Sequence, residues 1–243
     1  MSHLLQENMI PALWLIFVLY WVLAAIRQKR ARQGESLRAR LLHIVLAAIA
    51  FVFLLYNKDS IAVLWILLGL YVAFAILRIR DTKQRQSLFT RLPHIAAMII
   101  TFILLLERKI HLGVLEKRFL VDSKSWVWIG IGLTACGVGI AMWARSHLGA
   151  NWSATITIRS SHSLVRTGPY ARTRHPIYSG LLLAIAGTAL AQGEWRGLLA
   201  LTIALIAWSI KARKEESWLR DEFGGQFDDY RQSAGFLLPR LTK

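Results

Sequence analysis

Long apolar stretches alternate with short charged clusters along this chain, and that alternation sets the expected architecture. A bilayer core of about 30 Å takes roughly 17–25 apolar helical residues to cross. Runs of that kind, continuous rather than alternating in polarity, predict a polytopic helical bundle and argue against a β-barrel. The first run covers residues 9–26, with Trp14, Tyr20 and Trp21 placed as interface anchors. RQKRARQGESLRAR follows with six basic residues and predicts a cytoplasmic loop. The second run, 41–56, is short and allows little tilt. NKDS at 57–60 reads as a tight external turn, and the third run, 61–77, ends in a second basic loop, RIRDTKQRQSLFTR. A fourth begins near Pro93, a residue suited to the first turn of a helix, and ends near Leu106.

The connection ERKIHLGVLEKRFLVDSKS mixes both signs of charge and is expected outside. Span five, WVWIGIGLTACGVGIAMWA at 126–144, carries Gly130, Gly132, Gly137 and Gly139, small residues that let helices approach closely. After a polar stretch, two further spans are expected at 177–191 and 195–210, turning at QGE. The tail from Lys211 reads as a charged amphipathic helix to about Gln232. The expected fold class is therefore all-α, a transmembrane bundle of about seven spans. Residues 1–125 would form an N-terminal part, and 126–243 a core whose polar loop and C-terminal helix make a pocket.

Composition sharpens this picture. The 243 residues are 55% hydrophobic with a formal net charge of +16, which in a soluble protein would suggest nucleic acid. Here the basic residues gather on one side, as the positive-inside tendency predicts, and no nucleic-acid partner is expected. With the N-terminus outside, seven of the 30 Lys and Arg fall on the outer side: Lys58, Arg108, Lys109, Lys117, Arg118, Lys124 and Arg196. The other 23 fall on the cytoplasmic side, together with the C-terminus. Cys136, the single cysteine, excludes an intrachain disulfide and a cysteine zinc cluster, and reads as a buried inert thiol. The seven His are too scattered to suggest a metal. MSHLLQENMIPALW lacks a basic n-region and a small-residue cleavage site, so the first run is expected to be a retained span.

RTGPYARTRHPIYSG, 166–180, is the segment that a membrane chain least needs. Gly168-Pro169-Tyr170 reads as a turn. His175 is pushed away from the helical region by Pro176, which then opens span six. Free N–H groups near Ile177, Tyr178 and Ser179, at the positive end of the helix dipole, form a place for a carboxylate to dock. Gly180 removes a side chain where a ligand or a neighbouring helix approaches. Singly, Arg166, Arg172 and Arg174 also fit ordinary surface anchors, and Tyr170 and Tyr178 fit an interfacial aromatic belt. A second polar segment, KARKEESWLRDEFGGQFDDYR, follows span seven. Lys211, Glu215, Leu219 and Phe223 share one helix face, with Glu216 on the adjacent row. A surface helix with Lys211–Glu215 and Glu216–Arg220 pairs accounts for that spacing equally well.

HSLVRTGPYARTRHPIYSG, followed about thirty-five residues later by EE and then FG, resembles the isoprenylcysteine carboxyl methyltransferase family, which is related to the phospholipid N-methyltransferases. The resemblance covers roughly residues 143–238, including LGANWS, and leaves the first four spans unmatched. It implies S-adenosylmethionine as methyl donor, held between the loop before the hairpin and the helix after it. It places His162, Leu164 and Val165 along the cofactor, chiefly through backbone groups, and Tyr170 against it. His175, Pro176, Ile177 and Tyr178 would form a wall, and Glu215, with Glu216 as partner, would supply the acid. The implied acceptor is a prenylated or otherwise lipophilic carboxylate drawn from the membrane. Relatives acting on prenylcysteine tend to carry Arg one turn before the acid, where this chain has Lys211, with Arg213 nearby. Lysine neutralises a carboxylate without the planar fork, which keeps an amine headgroup open as acceptor. Two other classes stay open beside it: an NADPH-dependent enzyme of the sterol-reductase kind, and a membrane scaffold without turnover.

Overall fold

The computed structural model describes residues 2–30, 88–107, 110–149 and 164–240. The expected second and third spans, NKDS and His162 lie outside the described residues. Six α-helices are described: α1 (Ser2–Arg30), α2 (Leu88–Leu106), α3 (Lys124–Leu148), α4 (Pro176–Gln192), α5 (Trp195–Phe223) and α6 (Gly225–Ser233). Among the described residues β-structure is confined to two isolated bridges, Arg118 with Glu194 and Thr173 with Gly235. The chain divides into two units, residues 22–91 and the remainder, and every contact discussed below lies within the remainder.

α3 and α5 are long and apolar enough to cross a membrane, while Asn8–Trp21, Leu92–Leu106 and α4 are shorter apolar helices. Two full-length helices therefore stand where seven spans were expected, with two of the seven beyond the described residues. α2 starts at Leu88, so Pro93 lies inside the helix rather than in its first turn. A proline there forgoes one intrahelical hydrogen bond.

Packing of α3 on α4 follows from glycine placed every seven residues. Gly130 and Gly137 face Gly187 and Gly180 across an antiparallel contact so close that a methyl group would not fit. A Cβ on Gly130 would lie 2.5 Å from the Gly187 carbonyl, and one on Gly180 would lie 2.6 Å from that of Gly137. Gly132 and Gly139 point outward with nothing within 4 Å, so the four glycines of span five divide into two kinds. Gly180 accordingly admits a helix. Cys136 sits on the outward face with Gly132 and Gly139 and is exposed, contrary to the buried thiol expected. Its position, one residue from the packed Gly137, turns it away from α4.

Buried hydroxyls tie the helices together. Thr134 and Thr188 oxygens are 3.2 Å apart, and Trp14 Nε1 of α1 donates to Thr188 Oγ1 at 3.1 Å. α4 ends at Gly193, whose φ of 65° lets its N–H reach the Ala189 carbonyl. α5 then runs 29 residues without a break, its apolar part passing into KARKEESW in the same helix, until Gly224 at φ 52° turns the chain into α6. The tail is thus helical to Ser233, as one continuation and one short helix.

Candidate active site

A 3₁₀ turn, Gly168–Ala171, sets the polar segment against α3. Gly168 has φ 59°, and a Cβ there would meet the His147 ring at 2.7 Å, so the turn requires glycine for conformation and for space. His147 Nε2 lies 2.9 Å from Thr167 Oγ1, and its ring stacks on Tyr170 at 6.4 Å. Tyr170 is buried, its hydroxyl donating to the Ala144 carbonyl at 3.4 Å. Tyr230 of α6 donates to the Tyr170 carbonyl at 2.6 Å, and burial pushes the Tyr230 phenol up, which keeps its proton in place.

Residues 234–240 return as a strap along 172–175. The Arg174 N–H donates to the Gly235 carbonyl at 2.8 Å, His175 N–H to Phe236 at 3.3 Å, and Gly235 N–H to Arg172 at 3.0 Å. Ser179 Oγ donates to the Leu237 carbonyl. The strap's own carbonyls therefore stand at the start of α4, where the sequence suggested a docked carboxylate. Phe236 meets the His175 ring edge-on at 5.3 Å.

His175, the N-cap of α4, is buried and faces two consecutive acids of α5. Glu216 Oε1 accepts from Arg174 Nε at 2.7 Å and lies 3.2 Å from His175 Nε2, while its Oε2 is 3.8 Å from Arg231 Nε. Burial pushes this carboxyl up, but the hydrogen bonds and charges of His175 and Arg174 outweigh it and hold Glu216 below the usual carboxylate range. Glu215 differs: Tyr178 donates to its Oε1 at 2.6 Å, and its Oε2 has only His175 Nδ1, at 3.7 Å. Tyr178 is itself sandwiched between His175, at 5.6 Å and 10°, and Trp208, at 6.1 Å and 11°. Lys211 Nζ rests 5.5 Å from the Tyr178 ring centre.

The structure thus brings Tyr178, His175, Lys211, Glu215 and Glu216 together around one point. Pro176 and Ile177 are buried in the wall behind it, Val165 packs with the main core, and Leu164 packs with Phe227 and Tyr230. Arg213 is exposed and stands apart from the stack. Glu216 pairs across to Arg174, and Arg220 instead bonds Asp228 at 3.0 Å, so the simple surface-helix reading of the tail fails. Trp208, Arg174, Phe236 and Arg231 were not foreseen in these roles. Of these, Trp208 had a legible sign: it lies one turn before Lys211 on the edge of an apolar run.

Residues 125–226 match the family model described as phospholipid methyltransferase. Over 174 residues the chain is 26% identical to a probable protein-S-isoprenylcysteine O-methyltransferase of Oryza sativa subsp. indica, covering 70% of this chain and 87% of that one. Relatives bearing that enzyme name occur also in a plant, an insect and a yeast. A nickel-cobalt-cadmium resistance protein, NccN of Alcaligenes xylosoxydans xylosoxydans, is 34% identical over 119 residues, 47% of this chain and 54% of that one, so the chain spans about half of that relative's length. A solved structure of the eukaryotic intramembrane Ras methyltransferase aligns with 96% of this chain and 97% of its own, at 19% identity and a TM-score of 0.41. By these matches the chain is similar to protein-S-isoprenylcysteine O-methyltransferases, and its residues 125–226 to the phospholipid methyltransferase family.

Proposed function

We propose that this protein is a membrane methyltransferase that uses S-adenosylmethionine to esterify the carboxylate of a prenylcysteine-like acceptor. The observation that carries the cofactor is the 3.7 Å gap between His175 Nδ1 and Glu215 Oε2. A carboxylate only accepts hydrogen bonds, so His175 Nε2 must donate to Glu216. Tyr178 takes Glu215 Oε1, so Glu215 Oε2 is left with an open acceptor position at that gap. Such a gap suits a hydroxyl or an ammonium group, both of which the cofactor has. The residues present therefore fit the group.

Bound there, the cofactor would supply an electrophilic methyl group on its sulfonium. Glu215 would hold it by accepting hydrogen bonds, and Tyr178 keeps Glu215 in the required orientation. The backbone of Leu164 and Val165, with His162, would line its approach, and Tyr170 would close the far side. Lys211, one turn before Glu215 and without an acid partner among the described residues, would receive the acceptor's carboxylate. That nucleophile is ionised at neutral pH. No residue needs to act as general base, and alignment supplies most of the rate. Among the described residues no group of three His, Cys, Asp or Glu is placed to hold a metal ion.

The placement of 23 of 30 basic residues supports about seven spans with the N-terminus outside and the site on the cytoplasmic face. A water-soluble donor would enter from the cytoplasm and the lipid acceptor sideways between helices. The test is methyl transfer from labelled S-adenosylmethionine by purified protein, to N-acetyl-S-farnesylcysteine in one arm and phosphatidylethanolamine in the other. The proposal expects base-labile label in the farnesylcysteine arm. Label in the ethanolamine lipid alone would replace the carboxylate by an amine as acceptor, and label in neither arm would remove the enzyme.

A further inference from the structure

α5 presents one outward face that changes its chemistry along its length. Leu199, Ile206 and Ile210 are exposed on it, at 38%, 56% and 53%. The same register continues through Arg213, Ser217 and Arg220, in steps of three and four residues. The face therefore passes from apolar to cationic within one turn. Arg213, Ser217 and Arg220, with Arg231 from α6, line an open cleft of about 220 Å³.

Charge is unbalanced in this cleft. Arg213 has no carboxylate partner among the described residues. Arg220 holds Asp228 at 3.0 Å, and Arg231 shares that same Asp228 at 3.8 Å. Glu216, also on the lining, is already bound by Arg174 and His175. Arg220 and Arg231 thus share Asp228, Arg231 also reaches Glu216 at 3.8 Å, and Arg213 on the same lining is left without an ion pair among the described residues. Arginine forks match the paired oxygens of a phosphate, and Ser217 adds a hydroxyl donor.

We propose that this face binds an anionic phospholipid, its phosphate in the arginine cleft and an acyl chain along Leu199, Ile206 and Ile210. The proposal rests on the membrane reading of α5 given above. A zwitterionic lipid brings its own cation to the same arginines, and a free phosphate makes no use of the apolar half. The occupant that uses both halves is an acidic lipid.

Detergent-purified protein is titrated with short-chain phosphatidylglycerol, phosphatidylcholine of equal chain length, and inorganic phosphate, and bound lipid is counted by native mass spectrometry. Phosphatidylglycerol is expected to bind about tenfold more tightly than phosphatidylcholine, the scale of attraction that a few surface cations give. Arg213→Gln with Arg220→Gln should abolish the difference, whereas Arg172→Gln, exposed and outside the cleft, should leave it. In the unsubstituted protein the difference should shrink as ionic strength rises, a readout independent of how any variant folds. Equal binding of the two lipids, or a preference that survives the double substitution or high salt, overturns the proposal. Inorganic phosphate that competes at the same concentration as phosphatidylglycerol also overturns it, leaving a soluble-anion site. Lipid preference without S-adenosylmethionine binding would remove the proposed enzyme and leave this site standing.

Discussion

Glu215 and Glu216 are neighbours in sequence with opposite surroundings, and the difference assigns them separate tasks. Two guanidinium groups and an imidazole surround Glu216, so it locks the strap and His175 in place and has little left for a ligand. Its depressed pKa has a defined consequence. Stability from this carboxylate is complete above the usual carboxylate range and is lost as pH falls through the lower, folded value. Thermal melts across pH should therefore hold steady to the acid side of neutrality and drop only below that range, and Glu216→Gln should remove the drop. A melt that stays flat in the native protein would contradict the pairing. Lys211→Met should raise the KM for a carboxylate acceptor about tenfold, the scale of one charge-assisted hydrogen bond, and leave kcat nearly unchanged. An unaltered KM would take Lys211 out of acceptor binding. His175 and Glu215 were legible because a histidine before proline and an acid on an apolar helix face are both unusual. Arg174 was not, since an arginine at a membrane surface reads the same whether it anchors or pairs. Its partner lies forty-two residues away and is met only once α4 and α5 are packed.

At the level of elements, the α3–α4 contact should be the least forgiving part of the core. Gly137 faces the Gly180 carbonyl and the Ala184 amide, backbone groups that cannot step aside. Gly137→Ala should cost about 1–3 kcal/mol, as overpacking of a close contact does. Gly132→Ala, pointing to open space, should be neutral or raise the melting temperature through helix propensity. Equal effects from the two substitutions would mean that the glycines do not set the contact. The sequence showed four glycines in one span without separating packed from outward ones. The seven-residue repeat of Gly130 and Gly137 becomes decisive only beside its match in Gly180 and Gly187. Helix ends were more legible, because His175-Pro176 and Gly193 carry local backbone constraints that no tertiary contact is needed to impose. The strap was illegible for the opposite reason: its hydrogen bonds are non-local, and nothing in AGFLLPR announces the segment it pairs with.

For the whole molecule, apolar run length told most of what could be read, namely a helical chain with stretches apolar enough to cross a membrane. Among the described residues α3 and α5 are full-length apolar helices, and α1, α2 and α4 carry shorter apolar segments. The proposed orientation predicts that cysteines introduced at Val114 and Arg213, both exposed, react with a membrane-impermeant reagent from opposite sides. Labelling from one side would break the seven-span count. In the proposed enzyme the Glu215 end of α5 and the start of α4 form one cofactor pocket. Calorimetry of S-adenosylmethionine binding to purified protein, with Glu215→Gln as the paired variant, tests this most directly. Saturable one-to-one binding is expected in the native protein, with at least about a tenfold loss in the variant, from one charge-assisted hydrogen bond. Native binding that Glu215→Gln leaves unchanged, or no binding by folded native protein, would contradict it.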